Sequence, residues 1–389
     1  MAKAEATVDE LVSKIERGEL RLPEMQRRYV WRSTRVRDLL DSLYRGYPSG
    51  AILIWETDEP VPEQDFAVGQ QANPYAKTQL LLDGQQRLTS LSAVIRGEPV
   101  KVNGRSRPIE LLFNLEHPDQ LSLITEVDDN SIDAADDGVD ANEDGEEPGE
   151  EEADATEDEL QKRFDRMTFV VATRKLEQLP QWVKVSEVFS TDSDGPFMER
   201  AGVEGFKDER YQKYSQRLAR LRGIRKYVYR MDVLERTLSY DEVTEIFVRG
   251  NSLGAKLRSS DLALAQITAK WRGSLETFQA FQADCSTNGF DLDLGIHLKN
   301  LVAHATGQSR FLSVSRLDLD KLRNGWDNGC RGMEFALNLL RSTTGISSPA
   351  LLASPFLVIS LGLYGAERNY LLTADDAVDL GRWVLLANA

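Results

Sequence analysis

The residues best suited to chemistry lie in Thr78-Gln79-Leu80-Leu81-Leu82-Asp83-Gly84-Gln85-Gln86-Arg87-Leu88-Thr89-Ser90-Leu91. An apolar run stops at Asp-Gly, a polar cluster with one arginine follows, and a helical pattern then begins. This is how a strand hands over to a helix when the turn must hold an anion. The first amides of a helix have no intrahelical partner, and the helix dipole favours negative charge there. Arg87 would stand one turn into that helix, beside those amides, so phosphate is the natural guest. The same residues also read as a helix cap. Asp83 is a good N-cap residue, Gln86 three positions later completes a capping-box-like pattern, and Gly84 suits a tight turn.

A second polar cluster lies upstream: Leu22-Pro23-Glu24-Met25-Gln26-Arg27-Arg28-Tyr29-Val30-Trp31. Arginine offers a planar fork matched to phosphate oxygens, and Tyr and Trp can stack on a base or a guanidinium. By itself this is equally a surface turn anchored by Trp31. A third candidate is basic. Arg217, Arg220, Arg222, Arg225, Lys226 and Arg230, with Tyr227 and Tyr229 between them, could form a stripe against nucleic-acid phosphates, with Arg222, Arg225 and Lys226 at its centre. The alternative is a solvated helix face.

The elements that must position these groups follow from periodicity. An amphipathic helix is expected over 7–20, ended by Gly18, and the residues before Pro23 are extended. A second helix is expected over 35–44, capped by Ser33 or Thr34, and short strands over 51–55 and 79–82. The helix after Asp-Gly carries Leu88, Leu91, Ser92 and Ile95 on one face. Strand character returns at 109–114, 169–172 and 182–189, the last leading into a short helix. Beyond residue 207 the pattern is nearly all helical, over 207–223, 240–249, 259–270, 274–284, 293–306, 331–341, 348–364 and 374–388. Only 228–231 interrupts it. The fold class is therefore α+β, with an N-terminal domain over 1–200 and a mainly α-helical domain over 201–389.

Composition bounds the rest. The chain has 389 residues and is 41% hydrophobic, enough for packed cores. Its net charge of −16 is concentrated in one segment, because 126–159 holds 18 Asp and Glu and no Lys or Arg. Setting these aside leaves 45 of the 63 acidic residues against 47 basic ones. The segment reads as a disordered acidic insertion, because it has too little apolar surface to order itself. Cys285 and Cys330 suggest no disulfide framework, and His117, His297 and His304 no metal pair. No signal peptide is evident, and the apolar stretch 351–364, broken by Pro355, falls short of the roughly 20 residues a membrane span needs. A cytoplasmic setting with no membrane partner is expected. There is no Gly-x-x-x-x-Gly-Lys-Ser/Thr, so this is not a P-loop enzyme.

Taken together the motifs are specific. Pro-x-x-Gln-Arg-x-Tyr-x-Trp, a short strand with Ile-x-x-Trp, and Asp-Gly-Gln-Gln-Arg-Leu-Thr-Ser-Leu occur in that order. A further segment, Phe247-Val248-Arg249-Gly250-Asn251-Ser252-Leu253-Gly254-Ala255-Lys256-Leu257-Arg258-Ser259-Ser260-Asp261-Leu262, completes the pattern. The chain resembles the N-terminal domain of GmrSD-type restriction and phage-defence proteins, defined by a DGQQR motif, over roughly residues 7–270. The resemblance implies a ParB/sulfiredoxin-like nucleotide-binding fold and nucleoside triphosphate hydrolysis dependent on DGQQR. It also implies a part in modification-dependent restriction, with double-stranded DNA, including phosphorothioate or modified-base DNA, as a partner. Many members carry a C-terminal HNH nuclease domain; three scattered histidines cannot supply one, and the chain reads as truncated within a helical pattern.

On this reading Asp83, Gln86 and Arg87 are the catalytic residues. Gly84 and Arg87 hold phosphates, Asp83 coordinates Mg²⁺ or orients the attacking water, and Gln85 or Gln86 positions that water. Gln26, Arg27 and Arg28 neutralise the other side of the phosphate chain, with Tyr29 or Trp31 at the wall. Arg249 and Asn251 either close the pocket or staple the domains. The competing functions are a non-catalytic module that binds modified DNA and a protein-interaction scaffold using the acidic insertion. A homo-oligomer is compatible with all of them.

Overall fold

A computed structural model of the chain describes residues 1–58, 60–71, 79–98, 100, 109–118, 164–253 and 258–388. The acidic segment 126–159 lies outside the described residues, as do 254–257 of the third motif. The described residues form two compact units. The first comprises the described parts of Met1–Pro23, Arg28–Val127 and Asp144–Leu238; the second comprises Glu24–Arg27 and the described parts of Ser239–Ala389.

The first unit runs β1 (Ala2–Thr7), α1 (Val8–Glu16), β2 (Leu20–Pro23), α2 (Ser33–Arg45), β3 (Ile52–Glu56), β4 (Glu63–Gln64), β5 (Gln79–Asp83) and α3 (Gln85–Arg96). It continues with β6 (Leu111–Asn114), β7 (Phe169–Val171), β8 (Trp182–Lys184), α4 (Val185–Ser190), α5 (Gly195–Arg200), α6 (Glu209–Arg222) and β9 (Val228–Leu234). Six strands make a mixed sheet in the order β1-β9-β3-β5-β2-β4, and β7-β6-β8 make a second, antiparallel sheet. Within the large sheet β5 runs parallel to β2 and antiparallel to β3, with a register shift between Leu53 and Ile54. Leu80, Leu81 and Leu82 are all fully buried, so both faces of β5 are covered. A strand covered on both faces needs a continuous apolar run, hence three leucines in place of an alternating pattern.

Helices α1, α2 and α3 place Leu11, Ile15, Leu40, Leu88 and Leu91 in one core with Leu20, Ile52, Ile54 and Leu81 of the sheet. Burying each such side chain contributes about 1.5–3 kcal/mol, which fixes α3 and hence the turn that precedes it. The expected domain boundary at residue 200 falls inside this unit. α6 and β9 belong to it because β9 pairs with both β1 and β3, so the units part at Leu238 and Ser239.

The second unit is helical: α7 (Tyr240–Leu253), α8 (Ser259–Lys270), α9 (Ser274–Thr287), α10 (Leu294–Thr306), α11 (Leu319–Leu339), α12 (Leu357–Glu367) and α13 (Ala374–Ala387). Two apolar clusters hold it, one around Phe278, Leu301 and Trp326 and one around Phe290, Met333 and Val358. The mixed sheet with predominant helix is α+β, as expected. No helix among the described residues is long and apolar enough to cross a membrane.

Three local expectations are corrected. α2 begins at Ser33 with Arg32 in the cap position and no side-chain cap, so neither Ser33 nor Thr34 caps it. α11 starts 12 residues before the expected 331. α12 starts only at Leu357, beyond the Pro355 that blocks earlier helical hydrogen bonding.

Candidate functional site

The turn between β5 and α3 is the centre of the first unit's polar chemistry. Gly84 is the cap residue of α3, at φ 103°, and makes no side-chain cap bond. A Cβ there would lie 2.5 Å from Ile52 Cδ1, and the left-handed φ would strain any other residue. Asp83 does not cap α3. Its Oδ1 accepts from the adjacent Gly84 N–H at 2.8 Å, and its Oδ2 accepts from Arg87 Nη2 at 3.3 Å. The capping-box reading is therefore overturned: Asp83 turns toward Arg87, and Gln86 reaches a different partner. The first intrahelical bond is from Leu88 N–H to Gly84 O at 2.9 Å, so the Gln86 and Arg87 amides precede the helical ladder.

Arg87 is held from below. Its Nη1 donates to Ser49 O and its Nη2 to Ala51 O at 2.8 Å. Tyr229 lies beside it, with the ring centroid 5.9 Å from the guanidinium carbon, and the Tyr229 hydroxyl accepts from Ser49 Oγ at 2.9 Å. The Arg87 side chain is 14% exposed and that of Asp83 is 56% exposed. The two sets of contacts differ in strength. Hydrogen bonds from a charged donor contribute about 1.5–3 kcal/mol each, whereas an exposed ion pair contributes about 0–1 kcal/mol. Arg87 is thus fixed, whereas the more exposed Asp83 carboxylate is the weakly held member of the pair.

Gln86 fastens the loop that follows the Gln-Arg-Arg run. Its Oε1 accepts from the Val30 and Trp31 N–H groups at 2.8 and 3.2 Å, and its Nε2 donates to Arg28 O at 3.2 Å. Tyr29 is fully buried, with its hydroxyl 2.8 Å from Ser90 Oγ, so its ring supports the wall from inside and offers no stacking face. Arg28 is exposed. Gln85 is buried and receives the second Nε2 proton of Gln86 on its Oε1 at 3.4 Å.

Glu24, Met25, Gln26 and Arg27 belong to the second unit. Arg27 Nη1 donates to Asp261 Oδ2 at 3.0 Å. Burial raises the Asp261 pKa, and Arg27 and Arg258 oppose that rise. Glu24 is 3% exposed and caps α9, accepting from the Gly273 N–H on both oxygens at 3.0 and 2.9 Å. Gln26 is buried beside them in sequence. Arg249 is an exposed residue of α7 and pairs with Glu245 one turn earlier. Asn251 lies in α7, but its side chain is outside the described residues. Glu24 and Asp261 were visible in the motifs but carried no signal for these roles, because their meaning lies in burial. The Ser49 and Ala51 carbonyls were missed because no side-chain pattern announces a backbone acceptor.

The basic stripe is largely engaged within the fold. Arg222 pairs with Asp194 at 2.6 Å and donates to the Val188, Thr191 and Ser193 carbonyls. Arg225 donates to Phe189 O, Arg217 is buried against Leu115 O, and Arg220 donates to Tyr44 O while lying 4.5 Å above the Tyr44 ring. Lys226 and Arg230 are exposed.

A metal at the turn would find one protein carboxylate, Asp83. No group of three or more His, Cys, Asp and Glu able to hold an ion occurs among the described residues. That donor set fits Mg²⁺ carried in by phosphates, which needs only one or two protein carboxylates, and does not fit a dedicated protein cage.

An uncharacterized protein of Methanocaldococcus jannaschii is 25% identical over 328 residues, covering 81% of this chain and 50% of that relative. The chain therefore spans about half the length of the curated relative it matches. Residues 8–268 match the N-terminal domain of the GmrSD restriction endonuclease, and the chain belongs to that family.

Proposed function

We propose that the first unit, with a ParB/sulfiredoxin-like fold, binds and hydrolyses a nucleoside triphosphate as the sensor module of a modification-dependent restriction or phage-defence protein. The observation that carries this reading is the pairing of a fixed Arg87 with a weakly held Asp83 at the uncapped start of α3. The Gln86 and Arg87 amides and the helix dipole receive phosphate oxygens. Arg87 supplies a positive charge that needs no reorganisation during reaction. Asp83 would hold a Mg²⁺ ion arriving with the nucleotide, which would supply charge neutralisation at the phosphates. Gln85, with Gln86, lines the start of the helix where the attacking water would stand, and Arg28 approaches from the adjoining loop. Gln26, Arg27, Arg249 and Asn251 belong to the second unit and are assigned to the response to nucleotide. Family membership supports DNA, modified or not, as the restriction partner in a cytoplasmic setting.

The test is phosphate release from each NTP with Mg²⁺, for the wild type, Asp83→Ala and Arg87→Ala. The wild type should turn over, and each variant should lose about 10²-fold or more, the loss typical of one preorganised charged group. A wild type that releases no phosphate, or variants with undiminished rates, would overturn the reading.

A further inference from the structure

Gln86 stands where a water-orienting amide would be expected, yet its hydrogen-bonding capacity is already used. Oε1 accepts two backbone N–H groups, from Val30 and Trp31, and Nε2 donates to Arg28 O and, more weakly, to Gln85 Oε1. A primary amide has two acceptor sites and two donor protons, so these four contacts account for all of them. Among side chains of this length only glutamine can accept and donate in this way; glutamate cannot donate, and lysine or arginine cannot accept.

The clasped loop alternates inward and outward. Tyr29 is buried on Ser90, whose own hydroxyl donates to Gln86 O at 2.7 Å. Its neighbour Arg28 faces outward, and its guanidinium makes no ion pair among the described residues. The bond from Gln86 Nε2 to Arg28 O therefore fixes the Arg28 backbone at the first turn of α3. Arg87, by contrast, has committed its fork to the Ser49 and Ala51 carbonyls and to Asp83.

The geometry points to a division of labour: Gln86 is a positioning residue that holds Arg28 as the phosphate-contacting arginine, while Arg87 organises Asp83. This assignment rests on the nucleotide reading of the turn and deepens it. It replaces the hydrolytic role expected for Gln86 with a role in substrate binding. It also explains why two arginines, one locked and one exposed, serve one anion site.

The experiment combines amide hydrogen exchange with steady-state hydrolysis of MgATP and MgGTP, using the full chain as wild type, Gln86→Ala, Gln86→Glu and Arg28→Ala. Gln86→Ala should speed exchange at Val30 and Trp31 and raise KM about tenfold or more, with a smaller change in kcat, as expected for losing one charge-assisted phosphate contact. Arg28→Ala should raise KM equally while leaving Val30 and Trp31 protected. Combining the two should add little, because they remove one interaction. Gln86→Glu keeps the acceptor and should keep the protection, so it serves if Gln86→Ala does not fold. Lowered kcat at unchanged KM and unchanged exchange in Gln86→Ala would restore the water-orienting role and overturn the proposal, as would an unchanged KM in Arg28→Ala. A wild type that binds neither nucleotide while Val30 and Trp31 stay protected would remove Arg28's phosphate role through failure of the nucleotide reading itself. Loss of the clasp alone would appear as wild-type turnover with unprotected amides.

Discussion

The Arg87 guanidinium fills the space that any side chain on Gly50 would need. Gly50 sits at φ +90°, where only glycine is unstrained, and a Cβ there would meet Arg87 Nη1 and Cζ. The glycine is thus the seat of the arginine. Gly50→Ala should cost about 1–3 kcal/mol of stability from backbone strain alone, and it should expel Arg87 from Ser49 O and Ala51 O. Phosphate release should then fall to the level of Arg87→Ala. Urea denaturation and the hydrolysis assay check this together; wild-type behaviour in both would show that Arg87 does not need its seat.

The Arg222 contacts make a contrasting prediction for the basic stripe. With an ion pair to Asp194 and three carbonyl acceptors, Arg222 stitches the end of α6 to the segment after α4. Arg222→Ala should destabilise the first unit by about 2–4 kcal/mol, since it leaves Asp194 and several carbonyls without their charged donor. Lys226→Ala, at an exposed position, should leave stability within about 0.5 kcal/mol. If duplex DNA binds here at all, Lys226→Ala should reduce the slope of log affinity against log salt by about one. An Arg222→Ala protein of normal stability but weakened DNA affinity would support the stripe as a binding surface.

The strand–turn–helix around Asp83 was legible because its signals are local. An apolar run, an Asp-Gly break and a helical repeat need no knowledge of the rest of the chain. β1 was not legible: Ala2–Thr7 alternates alanine with charged residues and becomes a strand only by pairing along its whole length with β9. The first half of α11, where Gly325 and Gly329 weaken the local helical signal, falls outside the expected 331–341. Gly325 is there because a Cβ would meet Ala305 Cβ of α10 at 2.6 Å and Leu301 O at 3.0 Å, a tertiary reason absent from the local pattern. The site divides the same way. Residue types and order suggested an anion site, but the commitment of Arg87 to carbonyls and of Gln86 to the Arg28–Trp31 backbone depends on folded geometry.

Arg27 and Asp261, from the first and third motifs, form a pair within the second unit with side chains 22% and 14% exposed. Removing one partner strands the other in a poorly solvated place. Arg27→Ala should cost about 2–4 kcal/mol, less than a fully buried pair, because some solvent reaches it. Arg27→Ala with Asp261→Ala should recover part of that loss. A double-mutant cycle by chemical denaturation measures the coupling, and additive single effects would show that the pair contributes nothing.

Glu24 supplies a pH dependence whose sign can be worked out. Its carboxylate receives the Gly273 and Leu275 N–H groups and faces Arg272, all of which favour the charged form, yet burial outweighs them and pushes the pKa up to about 7 from an ordinary 4.5. Between those values the folded chain holds a proton that the unfolded chain has released. Stability contributed by this group is therefore complete below pH 4.5, falls as pH rises toward 7, and levels off above it. The total change is about 3 kcal/mol. Glu24→Gln keeps an acceptor for one of the α9 amides but cannot ionise. The difference in unfolding free energy between wild type and Glu24→Gln, measured by urea titration at several pH values, should shift steadily against the wild type across this window. A difference that stays constant would mean that Glu24 ionises as easily in the folded protein as in the unfolded chain, and that the α9 amides and Arg272 offset its burial in full.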